Sequence, residues 1–220
     1  LCEYEREAMP ASDKVGIDLA LSHFATLSTG EKIDNPRYLR RAERRLKIRQ
    51  RRLSRKVKGS NNRHKARQRV AWQHEKIANQ RRDFHHKLSR WLVDNFGHIG
   101  FENLAIANML KNHRLAKSIS DAGWAQFVQF CEYKQGWKGG DLVKIDRWYP
   151  SSKTCSACDE KNQFLKLSDR VWVCACGAVH DRELNASINI LDESTAGAAE
   201  SNALEIRPAV TQSAREAQCL

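Results

Sequence analysis

Apolar positions along the chain alternate between two periods, and the alternation outlines the elements. Lys14-Val15-Gly16-Ile17-Asp18-Leu19-Ala20-Leu21 is an apolar run broken by one acid and reads as a buried strand. Phe24-Ala25-Thr26-Leu27-Ser28, followed by Thr29-Gly30-Glu31-Lys32, reads as a second strand turning into a hairpin. His98 to Leu104 is a short strand ending in the acid Glu102, and Leu142 to Trp148 has the pattern of a central strand. Val171 and Val173 alternate with polar residues between Arg170 and Cys174, as in a further strand. Elsewhere the period lengthens. After Asn35 as cap and Pro36 as first helical residue, Leu39, Leu46 and Leu53 recur every seven positions, with Ala42 and Val57 nearby. Gly59-Ser60-Asn61-Asn62 interrupts the repeat, which resumes with Val70, Ile77, Phe84 and Trp91, flanked by Leu88 and Leu92. Two heptad helices joined by a short polar turn predict an antiparallel helical hairpin. Trp124, Phe127, Val128 and Phe130-Cys131 predict a packed helix, and Leu184, Ile188 and Leu191 supply the apolar face of another. Met109 to Ser120 is basic and polar and reads as a mobile loop. Glu193 to Leu220, rich in Ala, Glu, Ser and Thr, reads as a weakly ordered tail with room for one short helix at 201–206.

Charge gives the hairpin a purpose. The 220 residues are 41% hydrophobic, enough for a core, and carry a net charge of +12. Between Asn35 and Arg90 lie twenty-one Lys or Arg against three Asp or Glu, so the rest of the chain is net negative. A charge run is ordinarily a solvated face, but like charges along a helix repel, and a polyphosphate partner removes that repulsion by counterion release. Arg44, Arg45, Arg51 and Arg52 are therefore the expected nucleic-acid contacts, made to backbone rather than to bases. A dimer interface is the weaker alternative for the same surface. No apolar run approaches the ~20 residues that span a bilayer, and the first residues are polar and acidic, unlike a secretory signal. The expectation is a cytoplasmic protein with no membrane partner.

The densest chemistry lies between Trp148 and Ile190. Cys155 and Cys158 have Cys-x-x-Cys spacing, and Cys174 and Cys176 follow after fifteen residues. Two thiolate pairs at this separation suit a tetrahedral zinc site of ribbon type. Disulfides would require an oxidising compartment and a small secreted scaffold. The second pair has one intervening residue rather than two, and His180 is the lesser candidate for a fourth ligand. Cys2, Cys131 and Cys219 are left over as structural or free thiols. Asp181-Arg182-Glu183 then opens a helical pattern, where acids are favourable on helix-dipole grounds alone.

Three motifs in sequence order carry a resemblance: Tyr149-Pro150-Ser151-Ser152-Lys153-Thr154-Cys155-Ser156-Ala157-Cys158, then Cys174-Ala175-Cys176-Gly177, then His180-Asp181-Arg182-Glu183-Leu184-Asn185-Ala186-Ser187-Ile188-Asn189-Ile190. Together they resemble the carboxy-terminal block of the TnpB/OrfB proteins of insertion sequences, which are similar to type V CRISPR effector nucleases. The resemblance runs from about Val15 to Leu191. It implies an α/β fold: an RNase H-like (RuvC) mixed sheet with an inserted basic helical hairpin at 35–96 and an inserted zinc ribbon. The core would occupy 15–148, the ribbon 149–180 and the last nuclease motif 181–192, with 1–14 a remnant of an upstream region and 193–220 the tail.

The same resemblance implies a DNA endonuclease guided by RNA, with Mg²⁺ at the catalytic carboxylates and zinc in a structural role. Asp18 matches the first motif, Gly-Ile-Asp-Leu-Gly, with Ala20 in place of the last glycine. Glu102 matches the second, Glu-Asp-Leu, with Asn103 in the middle. The third motif is Asp-Arg-Asp-x-Asn-Ala, and its ligand position falls on Glu183, one methylene (~1.5 Å) longer than aspartate. Asp181 is the reserve candidate, should the helix begin earlier. Reduced but non-zero turnover is expected from the longer side chain. Full-length members carry an amino-terminal half for guide RNA and target DNA, whereas this chain starts almost at the first motif and reads as a fragment or a truncated frame. The rival reading is accordingly a catalytically inactive zinc-ribbon nucleic-acid-binding protein. A transposase that itself performs strand transfer is the weaker third. Oligomeric state is not legible.

Overall fold

The computed structural model describes residues 13–205 except residue 167, with side chains through 196. The expectations for 1–12, for Cys2 and Cys219 and for the tail beyond 205 lie outside the described residues. Five strands form one mixed sheet: β1 (Lys14–Asp18), β2 (Ala25–Leu27), β3 (Lys32–Ile33), β4 (His98–Glu102) and β5 (Asp141–Ile145), in the order β3-β2-β1-β4-β5. The first three are antiparallel, while β1–β4 and β4–β5 are parallel. The hairpin read at Phe24–Lys32 is thus β2–β3. The expected central strand is instead the sheet's edge, β5, and ends three residues short of Trp148. Its Leu142 and Val143 are only half-buried because β4 flanks it on one side alone.

Strand alternation gives the sheet two different faces. Val15, Ile17, Ile99 and Phe101 are fully buried in one cluster with Leu92, Trp124, Phe127 and Cys131. These last four come from α2 (Asn61–Asn95) and α5 (Trp124–Lys138), the helix foreseen from its aromatics. Phe24 joins them, its ring centroid 5.0 Å from those of both Phe84 and Phe127.

On the other face, glycines leave the middle of β1 and β4 without side chains. Gly16 and Gly100 lie beneath α6 (Arg182–Glu205), and a Cβ on Gly16 would sit 2.1 Å from the Ser187 carbonyl. A Cβ on Gly100 would come within 2.5 Å of Ser194 Oγ. This close approach selects the small residues of α6. Ala186, Ser187, Ile190 and Ser194 are buried, together with Glu183, Asn185 and Asn189. The expected face of Leu184, Ile188 and Leu191 is only half-buried. Apolar periodicity misreads the helix because the seam is made by backbone contact rather than by large side chains. The helix also runs unbroken through 193–205, where a weakly ordered tail was expected.

The inserted helical hairpin is present as α1 (Tyr38–Ser54) and the long α2. Leu46 and Ile77 are buried at its seam, with Leu39, Leu53, Val70 and Phe84 half-buried, whereas Val57 is 76% exposed and lies outside it. The helix begins later than Asn35-Pro36 suggests. Its N-cap is Arg37, in the left-handed region at φ 49° with no side-chain cap bond. Asp121 supplies the cap from a distance, accepting from Leu39 N at 3.0 Å and from Arg40 N at 3.4 Å. A buried carboxylate brought by tertiary structure has replaced the local capping signal. Asp121 belongs to α4 (Ala116–Ala122), which with the last residue of α3 (Ile106–Met109) occupies half of the segment expected as a mobile loop. Ile119 and Ala122 anchor it in the main core.

Candidate functional site

The four paired cysteines converge. Cys155 sits in a turn closed by Cys155 N donating to Glu160 O at 2.9 Å, and Cys174 in a second turn closed by its N–H on Ala178 O at 2.8 Å. The one-residue spacing of the second pair is accommodated by Gly177 at φ 90°. All four sulfurs lie within 4.8 Å of one another. Cys155 and Cys176 are 3.8 Å apart, and Cys158 and Cys174 3.7 Å. A tetrahedron with zinc–sulfur bonds of about 2.3 Å has an edge of ~3.8 Å, so the donor set fits such an ion. The Ala178 amide holds the Cys176 thiol down to about 7, toward the thiolate a metal requires. His180 stands beside the four sulfurs: its Nε2 is 3.0 Å from Cys155 Sγ and its ring lies 4.7 Å from that of Trp172. The latter two face each other across β6 (Val171–Val173) and β7 (Val179–Asp181).

Two carboxamides tie this unit to α6. Asn185 Nδ2 donates to Thr154 O at 2.7 Å, and Asn189 Nδ2 donates to Ser151 O and Thr154 O at 2.7 Å each. Asn185 Oδ1 accepts from Ser156 N at 3.0 Å. Asn at i and i+4 on one helical face was the available signal for this joint.

The three expected acids come together from different elements. Asp18 ends β1 and Glu102 ends β4, and these neighbouring parallel strands pair in a register that sets Ile17 beside Phe101. Glu183 is the second residue of α6, which crosses both strands. Burial pushes the Asp18 carboxyl up to about 7, reinforced by the negative charges of Glu102 and Glu183 and partly opposed by Arg182. Burial also raises Glu102. Glu183 is 7% exposed, and burial pushes it up as well, but its donors outweigh that and hold it below the usual carboxylate range. Ser22 Oγ donates to Oε1, where Arg170 is also bound at 3.2 Å; His23 Nδ1 lies 3.0 Å and Thr26 Oγ1 3.3 Å from Oε2. None of these four partners was singled out from sequence, since Ser22, His23 and Arg170 lie outside the strands and Thr26 fits its strand without standing out.

Asp181 is engaged otherwise. Its Oδ1 caps α6, accepting from Glu183 N and Leu184 N at 3.1 Å each, and its Oδ2 meets Lys32 Nζ at 2.8 Å. The helix begins at Arg182, not earlier. Among the described residues, the cysteines are the only His, Cys, Asp or Glu set whose ligand atoms converge closely enough to hold a metal ion, and the three acids are linked by charge rather than by such a cluster.

Arg44, Arg45, Arg51 and Arg52 are all exposed on α1. Arg52 also lines an open groove of about 660 Å³ between α1 and α2, with Arg49, Arg55, Lys56, Lys65 and Arg69 and no acidic residue. Those five cations were passed over individually within the general charge run.

Comparisons with known proteins bear on both halves of the chain. The family model OrfB_IS605, described as "Probable transposase", matches residues 1–113, and the model "Cas12f1-like, TNB domain" matches residues 124–190. A "Putative RNA-guided DNA endonuclease" of Streptomyces pristinaespiralis is 49% identical over 200 residues, covering 90% of this chain and 50% of that protein. "Putative RNA-guided DNA endonuclease InsQ" of Escherichia coli (strain K12) is 32% identical over 198 residues, covering 83% and 49%. The chain spans about half the length of these relatives. Among solved structures, the Cas12f1 chain of a Cas12f1–sgRNA–target DNA complex superposes with a TM-score of 0.59 at 18% identity, over 84% of this chain and 51% of that one.

Proposed function

This chain belongs to the OrfB_IS605 family of probable transposases, and from that premise we propose that it is the nuclease part of an RNA-guided DNA endonuclease. DNA phosphodiesters are the substrate, and Asp18, Glu102 and Glu183 hold the divalent cations. The observation that carries this reading is geometric: Asp18 and Glu102 end two paired parallel strands, and Glu183 stands in the first turn of the helix packed across both. The β3-β2-β1-β4-β5 order, antiparallel then parallel, supports an RNase H-like, RuvC-type sheet. Mg²⁺ at these oxygens supplies water activation and neutralises charge on the leaving oxygen. The chain's own part is to hold the carboxylates in register at two strand ends and one helix start, and to exclude bulk water through the α6 seam. Cys155, Cys158, Cys174 and Cys176 fill four positions around a zinc, which leaves no open site and makes that metal structural. The basic hairpin binds nucleic-acid backbone, with guide RNA and DNA as partners, in the reducing cytoplasm.

The test is cleavage of target DNA by protein purified with its RNA in Mg²⁺. Asp18→Ala and Glu183→Gln abolish cleavage while nucleic-acid binding persists, Asp181→Asn reduces it partly, and Glu183→Asp preserves or raises it. If Asp181→Asn alone kills cleavage and Glu183→Gln does not, the third ligand is Asp181. The cationic groove, free of acids, favours one rival, a binding protein without catalysis. Tight binding with no cleavage by the unsubstituted chain would select it.

A further inference from the structure

Glu183 is held more firmly than a simple ligand requires. A carboxylate offers about four acceptor directions, and here Ser22, Arg170, His23 and Thr26 take four. Three of these donors come from the short segment that follows Asp18. Thr26 lies directly across from Asp18 in the β1–β2 register, and Ser22 and His23 stand in the connection between the two strands. The hairpin that presents one acid therefore also grips another from the far end of the chain. Arg170 differs from the rest. It comes from the cysteine-bearing segment, and its side chain is 62% exposed.

We propose that Ser22 and His23, supported by Thr26, are positioning residues for Glu183: they immobilise its extra torsion so that the longer carboxylate is delivered beside Asp18 and Glu102. Arg170 is the exchangeable donor, occupying on Oε1 a direction that a divalent ion takes over while the guanidinium returns to solvent. The proposal rests on the reading of Glu183 as a metal ligand. Glutamate has one more rotatable bond than aspartate, and a ligand set tolerates only about 0.5 Å of error. Neutral Ser and Thr hydroxyls and one imidazole can remain in place when a cation arrives, whereas a guanidinium on the same oxygen cannot.

The experiment measures Mn²⁺ binding to the purified 220-residue chain by electron paramagnetic resonance, with thermal melts to confirm folding. Ser22→Ala and His23→Gln each weaken Mn²⁺ binding by about tenfold, the usual effect of losing a partner behind a ligand. Arg170→Ala strengthens it. In a Glu183→Asp background the shorter carboxylate no longer reaches Ser22 and His23, so the same two substitutions become silent. Equal weakening in both backgrounds, no weakening in the native one, or weaker binding in Arg170→Ala overturns the proposal. Glu183→Gln separates the two levels. If it leaves Mn²⁺ binding intact, the ligand reading itself fails. If it abolishes binding while Ser22→Ala and His23→Gln do nothing, only the positioning role fails.

Discussion

Asp18 and Glu183 sit in one cluster and meet the cost of burial differently: the first is pushed up to about 7, the second is brought down by its donors. The stability consequence for Asp18 has a definite sign. The unfolded chain releases this proton near the ordinary aspartate value, while the folded chain keeps it up to about 7. Between the two the unfolded state binds fewer protons, so metal-free stability falls as pH rises through that window and levels off above it. Asp18→Asn removes the effect. In chelator it should raise the free energy of unfolding at pH 8 by on the order of 1–3 kcal/mol, with no gain at pH 4. Denaturant titrations at the two pH values check this, and an equal gain at both would mean the substitution acts through packing. The strand that ends at Asp18 was legible from its apolar run, while the role expected of Asp18 came from the resemblance of that run to a family motif. Ser22, His23 and Arg170 were not, because their meaning depends on Glu183, about 160, 160 and 13 residues away respectively.

Among the elements, the hairpin was the most legible and its boundaries the least. Seven-residue spacing finds a seam wherever two helices bury one, as at Leu46 and Ile77. It says nothing about where a helix starts when the cap is Asp121, delivered from α4. The Met109–Ser120 segment failed for a related reason. Its basic exterior hid Ile119, whose burial in the core turns a polar stretch into a folded one. The outer surface of α1 should set nucleic-acid affinity. Neutralising Arg44, Arg45, Arg51 and Arg52 together should flatten the dependence of log binding constant on log salt by roughly one unit per lost phosphate contact. Filter binding from low to high salt measures the slope. An unchanged slope would transfer the contact to the groove lined by Arg49, Arg55, Lys65 and Arg69.

For the whole molecule, the cysteine unit and the carboxylate cluster share α6. Asn185 and Asn189 hold the Ser151–Thr154 turn, and Glu183 lies two residues before the first of them. Cys158→Ser should release zinc, about one ion per chain in the unsubstituted protein, and should also lower DNA cleavage, because the turn that Asn185 grips loses its frame. Metal analysis by mass spectrometry beside the cleavage rate tests both. A folded, reduced protein without zinc would remove the basis of this prediction. The α/β class and the mixed sheet were readable because strand and helix periods alternate along the chain. The seam that joins sheet and helix was not, because glycine and serine contacts leave no hydrophobic trace.

That seam has a mechanical meaning. With Gly16 against the Ser187 carbonyl and Gly100 against the short Ser194 side chain, helix and sheet meet at a separation set by glycine backbone and the smallest side chains. Loss of function on warming should then track cooperative melting of the whole domain rather than a gradual drift of the acidic groups out of alignment.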